Sequence, residues 1–208
     1  MAITTDALAG VFEADRTHSS VKFAVRHMTV STFRAWFADV DARLIADASD
    51  LRLEGAARVE SISIADPPEF REHVVRGADF FDADNHPEIL FHSERVELAE
   101  NGTAMVDGEL TIKGLSRPNT ATGTYQRPVE DPYGSRRAAL ELRAVLDRRD
   151  WGMSWQQPLP DGTDAGRLTE GPAVSPAPRA TALAHLRRQD VPPGAARPSD
   201  TAETRRPR

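Results

Sequence analysis

The chain contains no cysteine. Disulfide frameworks, thiolate nucleophiles and cysteine-based zinc or iron–sulfur sites are therefore excluded. It also lacks any run of about 18 apolar residues, so no segment reads as a membrane-spanning helix. Hydrophobic residues make up 39% of the 208, a low share that implies part of the chain joins no core. Positive charge is in deficit: the formal net charge is −6. That argues against general nucleic-acid binding, whose affinity comes mostly from phosphate neutralisation. The opening "MAITTDALAG" has neither the basic end nor the apolar centre of a secretory signal, so a cytoplasmic location is expected.

The charge is unevenly shared. From Gly171 onward seven Arg face Asp190, Asp200 and Glu203, a net of +4 that leaves −10 for residues 1–170. The same boundary separates two compositions. Residues 171–208 hold seven prolines and no aromatic residue, and such a segment cannot bury enough apolar area to offset its ordering entropy. This tail is expected to be disordered, with "ATALAHLRR" at 180–188 its one candidate for a short helix. Residues 1–10 read as a flexible N-terminus.

Residues 11–170 alternate apolar and polar side chains in short runs, the period of half-buried strands. Such runs lie at 18–27, 33–46, 53–64, 88–98, 104–112, 119–126 and 137–147, the last of which could be helical by composition. "ENGT", "IKGLSRP" and "EDPYGS" carry turn residues between them. One segment departs from this pattern: "ADPPEFREHVVRG" predicts a helix over about 67–76. Asp66 is read as its N-cap, Pro67 as its first residue and Gly77 as its stop. Many short antiparallel strands with a lone helix predict an all-β barrel, with strands long enough to enclose a space.

Four blocks, taken in order, resemble the YceI-like family: "DRTHSSVKFAVRHM", "HVVRGADFFDADNHPEILFHS", "GELTIKGLSRP" and "DRRDWGMSW". The resemblance covers about residues 11–165. It implies an extended antiparallel lipocalin-like β-barrel around a long apolar tunnel. The implied activity is binding of a polyisoprenoid lipid or similar amphiphile, such as a polyprenyl diphosphate or an isoprenoid quinone precursor, with no reaction and no other cofactor. Two places depart from the family. Ala35 in "FRAWF" stands where the family usually has glycine. The place of the family's closing strand is held by "DAGRLTEGPAVSPAPRATAL", whose prolines cannot donate ladder hydrogen bonds, so either "ATALAHL" serves poorly as that strand or the barrel has an open edge. An open edge there would make a homodimer an expected arrangement.

In a hollow barrel an inward apolar side chain can touch ligand in place of protein. Phe23, Val25, Met28, Val30, Phe33, Trp36 and Phe37 are the candidate lining; for each of them core packing is the competing reading. His18, His27, Arg71 and His73 are candidate donors to a polar head group. His27 shares the inward parity of Val21, Phe23 and Val25, and could equally bond a backbone carbonyl. Arg26 has the opposite parity and reads as a solvated charge. Trp151 and Trp155 read as a lid over one end or as core. Asp79, Asp82, Asp84 and His86 look like turn chemistry, since their spacing does not repeat a Ca²⁺ loop. The leading expectation is a soluble lipid carrier or sequestering protein. The alternative is a hydrolase-type enzyme that uses a histidine general base on a small hydrophobic substrate.

Overall fold

A computed structural model describes residues 8–27, 31–47, 50–155 and 179–188. Ten strands form one antiparallel sheet: β1 Gly10–Ala14, β2 Ser20–His27, β3 Ser31–Phe37, β4 Val40–Ala46, β5 Leu51–Arg58, β6 Glu88–Leu98, β7 Thr103–Ile112, β8 Leu115–Glu130, β9 Arg136–Val145 and β10 Arg179–Arg188. From β4 to β9 each strand pairs with the next in sequence, and β10 follows β9. β10 then closes the ring along two successive strands. Its first half pairs with β2, Ala180 opposite Phe23, and its second half with β1, Leu186 opposite Ala14. Beyond them β1 pairs with β4, and β2 with β3. β3 in turn meets the chain after β5, where Phe37 bridges Ile62 and Ser63 N–H donates to the Trp36 carbonyl at 2.8 Å. The result is an eight-strand closed barrel in which β1–β2 and β3–β4 each serve as one bent staff.

β10 decides between the two readings of the closing strand in favour of "ATALAHL", and takes residues 179–188 out of the expected disordered tail. Residues 179–188 are strand, not helix. They lie between Pro178 and Pro192 with no proline among them, so every residue can donate to the ladder. The edge whose exposure suggested a homodimer is occupied by this strand. Residues 1–7 and 189–208 lie outside the described residues; Leu8, inside the expected flexible N-terminus, is buried at 1% exposure.

Local chemistry sets the corners. Lys113 (φ 51°) and Gly114 (φ 69°) make the two-residue β7–β8 turn, the left-handed pair that matches strand twist. The expected run 33–46 breaks at residues 38–39 into β3 and β4, and 53–64 ends early in a 3₁₀ turn, Val59–Ser61. Pro128 falls where the β8–β9 register shifts, so the missing N–H costs no ladder bond.

The one α-helix among the described residues, α1, runs Pro68–Arg76 and stops at Gly77 as expected. Its N-cap is Pro67, not Asp66, and no side chain caps it. Pro68 at the first helical position has no N–H to satisfy, and the Pro67 carbonyl accepts from Phe70 and Arg71 N–H.

The barrel interior has two halves. Around β1 it is solid: Phe12, Leu44 and Val106 are 0% exposed and pack with Leu8, Leu140 and Leu186. Around α1 a second cluster forms from Phe37, Val59, Val74, Val75, Phe81, Trp151 and Met153.

Candidate functional site

The second half is hollow. A cavity of about 600 Å³ lies there, within the range of ligand pockets. One wall is the inner face of the β2–β3 hairpin. Alternation turns Val21, Phe23 and Val25 inward, and the register sets them opposite Phe37, Ala35 and Phe33. Phe70 and Val74, one turn apart on α1, form a second wall. Phe80 and Phe81 arrive from the segment after it, Ile89, Leu110 and Ile112 from β6 and β7, and Leu146, Trp151, Met153 and Trp155 from the chain after β9.

Aromatic rings dominate this lining. Phe23 lies 5.7 Å from Phe37, Phe37 is edge-on to Phe81 at 5.6 Å, and Phe33 is edge-on to Phe70 at 5.8 Å. Trp155 stacks on Phe80 at 5.3 Å. The indole N–H of Trp151 donates to the Leu110 carbonyl at 3.1 Å, so that ring offers the cavity only its apolar surface. Phe23, Val25, Phe33, Phe70, Phe80, Ile89, Leu110 and Leu146 face the interior yet are only half-buried. Their counterparts around Phe12 are sealed, so the unfilled contact area is local to this half.

Polar groups are few. Ser31 and Thr32 line the hairpin end, and Arg148 is the single charged side chain at the cavity among the described residues. Its Nη2 donates to the Trp155 carbonyl at 2.6 Å, which fixes the guanidinium beside the apolar wall. Arg148 opens the 3₁₀ turn Arg148–Trp151, which Asp147 caps by accepting from Arg149 N–H.

Four expected residues, Phe23, Val25, Phe33 and Phe37, line the cavity together. Trp36 does not. It alternates with Ala35 and Phe37, faces outward and is 48% exposed. Met28, Val30 and the side chains of Arg26 and His27 lie outside the described residues. His18 sits on the turn after β1, bonded to Asp15 at 3.0 Å. Arg71 donates to the Glu60 carbonyl at 2.6 Å, and His73 to Asp79 at 3.0 Å. None of these three lines the cavity, because α1 gives it Phe70 and Val74 and leaves Arg71 and His73 on its flanks. The His73 ring instead meets the outer side of the site, edge-on to Phe80 at 5.1 Å.

Asp82 takes φ 53° and accepts from Asn85 in a turn, and Asp84 pairs with Arg76. Among the described residues no cluster of three His, Asp or Glu could hold a metal ion. Nor is any helix among them long and apolar enough to cross a membrane.

Sequence reasoning missed Arg148 as a cavity residue, along with the apolar walls from β6 and β7, while Trp151 and Trp155, read as a lid or as core, both border the cavity. The "DRRDWGMSW" block carried the available signal, a cation three residues from a tryptophan.

The family of YceI-like domains matches residues 12–170. A UPF0312 protein of Staphylococcus aureus is 29% identical over 153 residues, 73% of this chain and 86% of its own length. One from Pseudomonas putida is 27% identical over 150 residues, 71% of this chain and 78% of that protein. Among solved structures, Burkholderia cenocepacia BcnA superposes with a TM-score of 0.61 at 18% identity, covering 85% of this chain and 99% of that one. A polyisoprenoid-binding domain from Saccharophagus degradans, implicated in plant cell wall breakdown, gives 0.58 at 11% identity, covering 86% and 98%. These two structures share its fold. With the family match spanning most of the chain, the protein belongs to the YceI-like family.

Proposed function

We propose that the protein binds one polyisoprenoid or similar amphiphile in the cavity, as a soluble carrier or sequestering protein. The observation that carries this reading is the apolar space of about 600 Å³, bounded by inward aromatic side chains that the protein leaves half-covered. Each methylene moved from water into it gains about 0.8 kcal/mol, so a branched chain of modest length binds without polar contacts. The offset and edge-on rings offer a curved surface suited to an isoprenoid's methyl branches. Arg148, at the same cavity, would receive the polar end, whether the diphosphate of a polyprenyl diphosphate or the ring oxygens of an isoprenoid quinone precursor. The S. degradans domain of the same fold, named for polyisoprenoid binding, supports this ligand class. Binding is favoured over catalysis because neither His18 nor His73 lines the cavity, each being bonded to an aspartate, Asp15 and Asp79.

Trp151 and Trp155 report on occupancy, since both border the space. Titration with prenyl alcohols of increasing length should change tryptophan emission saturably at one chain per protein, with affinity rising with length. Emission that stays flat, or changes linearly without saturating, contradicts the reading.

A further inference from the structure

The outer face of the hairpin that walls the cavity has its own character. Residues 16–38 contain Arg16, Lys22, Arg26 and Arg34 and no carboxylate, in a chain of net charge −6. Strand pairing turns part of this run into a surface. Register sets Lys22 opposite Trp36 and Ala24 opposite Arg34, and β10 carries these two rows on to Arg143 and Val145 of β9. Two of the exposed large apolar residues, Trp36 at 48% and Val145 at 58%, fall at opposite ends of these rows. Lys22 and Arg34 are exposed between them and form no ion pair among the described residues; Arg34 donates only to the Thr32 carbonyl at 3.3 Å. Arg143 is held by Glu141 at 2.7 Å. Basic side chains interleaved with an exposed indole suit an anionic lipid surface, where cations meet the head groups and tryptophan enters the interface.

We propose that this face, around Lys22, Arg34 and Trp36, docks the protein on anionic phospholipid bilayers. The lipid is the occupant best matched because Lys22 and Arg34 beside an exposed indole complement an anionic interface, and the same two strands carry the cavity wall on their inner side. The purpose of docking rests on the proposed ligand reading, but docking itself is measured without it.

The full-length protein would be sedimented with vesicles of phosphatidylcholine alone and with vesicles containing phosphatidylglycerol. The wild type should bind only the anionic vesicles, and the bound fraction should fall in high salt. Lys22→Gln with Arg34→Gln should weaken binding roughly tenfold or more, given the attraction each cation supplies at such a surface. Trp36→Ser should weaken it too, while Arg52→Gln, at an ion pair with Asp50, should not. A Val25→Trp variant, whose cavity is obstructed, should still sediment, which separates failure of docking from failure of the ligand reading. Absence of binding, equal binding to neutral vesicles, unchanged binding in the Lys22/Arg34 variant, or equally tight retention on heparin would each overturn the proposal.

Discussion

Arg137 donates from Nη1 to Asp15 Oδ2 at 2.7 Å, across 122 residues of sequence, and so ties the exit of β1 to the start of β9. Asp15 also accepts from His18 at 3.0 Å, and Arg137 from its other side donates to Asp131 at 2.6 Å. The Arg137 bond, then the His18 bond, hold the Asp15 carboxyl down at about 2, from an ordinary 3.8. Asp131 is lowered for the same first reason, its bond to Arg137.

Because Asp15 binds its proton less readily folded than unfolded, it stabilises the fold above pH 3.8, and this contribution is lost as pH falls toward 2. Melting temperatures of wild type and Asp15→Asn, measured from neutral pH downward, should differ most near neutrality and converge near pH 2. Parallel curves across that window would show that the pair has no part in acid sensitivity.

Leu186 is 1% exposed in the solid half of the barrel, where β10 seals the sheet. Leu186→Ala should cost about 2–5 kcal/mol, read by denaturant unfolding. A chain ending at residue 178 should fail to fold, and one ending at 188 should melt as the full chain does. Cooperative unfolding of the 178 form at the wild-type midpoint would contradict closure by β10.

Tyr125 is 3% exposed in that same half, and its hydroxyl has no hydrogen-bond partner among the described residues. Burial pushes its ionisation up to about 12. Tyr125→Phe removes a desolvated donor while keeping the ring, so stability should hold or rise by about 1 kcal/mol. A loss of that size in denaturant unfolding would mean the hydroxyl is satisfied.

Val25 stands opposite Phe33 on the cavity wall. Val25→Trp should fill the space and lower uptake of a prenyl alcohol more than tenfold, with circular dichroism unchanged. Equal uptake would place the ligand elsewhere.

Much of the fold was legible because strand periodicity is local. β6 occupies residues 88–98 as read, and α1 ends at Gly77 as read. β10 was legible only as a poor closing strand or a short helix, because Ala180, Ala182 and Ala184 hold alternate positions of its sequence. Alanine contrasts too weakly with its neighbours to display a period of two, and flanking prolines coloured the whole segment. The apolar wall at Phe23, Val25, Phe33 and Phe37 followed from alternation, and the same parity should have sent Trp36 outward. The polar part did not follow. His18, Arg71 and His73 have the right chemistry, but Asp15, Glu60 and Asp79 claim them through contacts set by the tertiary fold. Which half of the barrel is hollow depends on long-range register, as does the arrival of Arg148 beside it.

Organic extraction of the freshly purified protein, followed by mass spectrometry and quantified against protein, asks directly whether the aromatic-walled half of the barrel holds lipid. One isoprenoid class should appear near one molecule per chain and be depleted in Val25→Trp. Extracts free of apolar material, from protein that also takes up no added prenyl chain, would contradict a lipid-binding cavity.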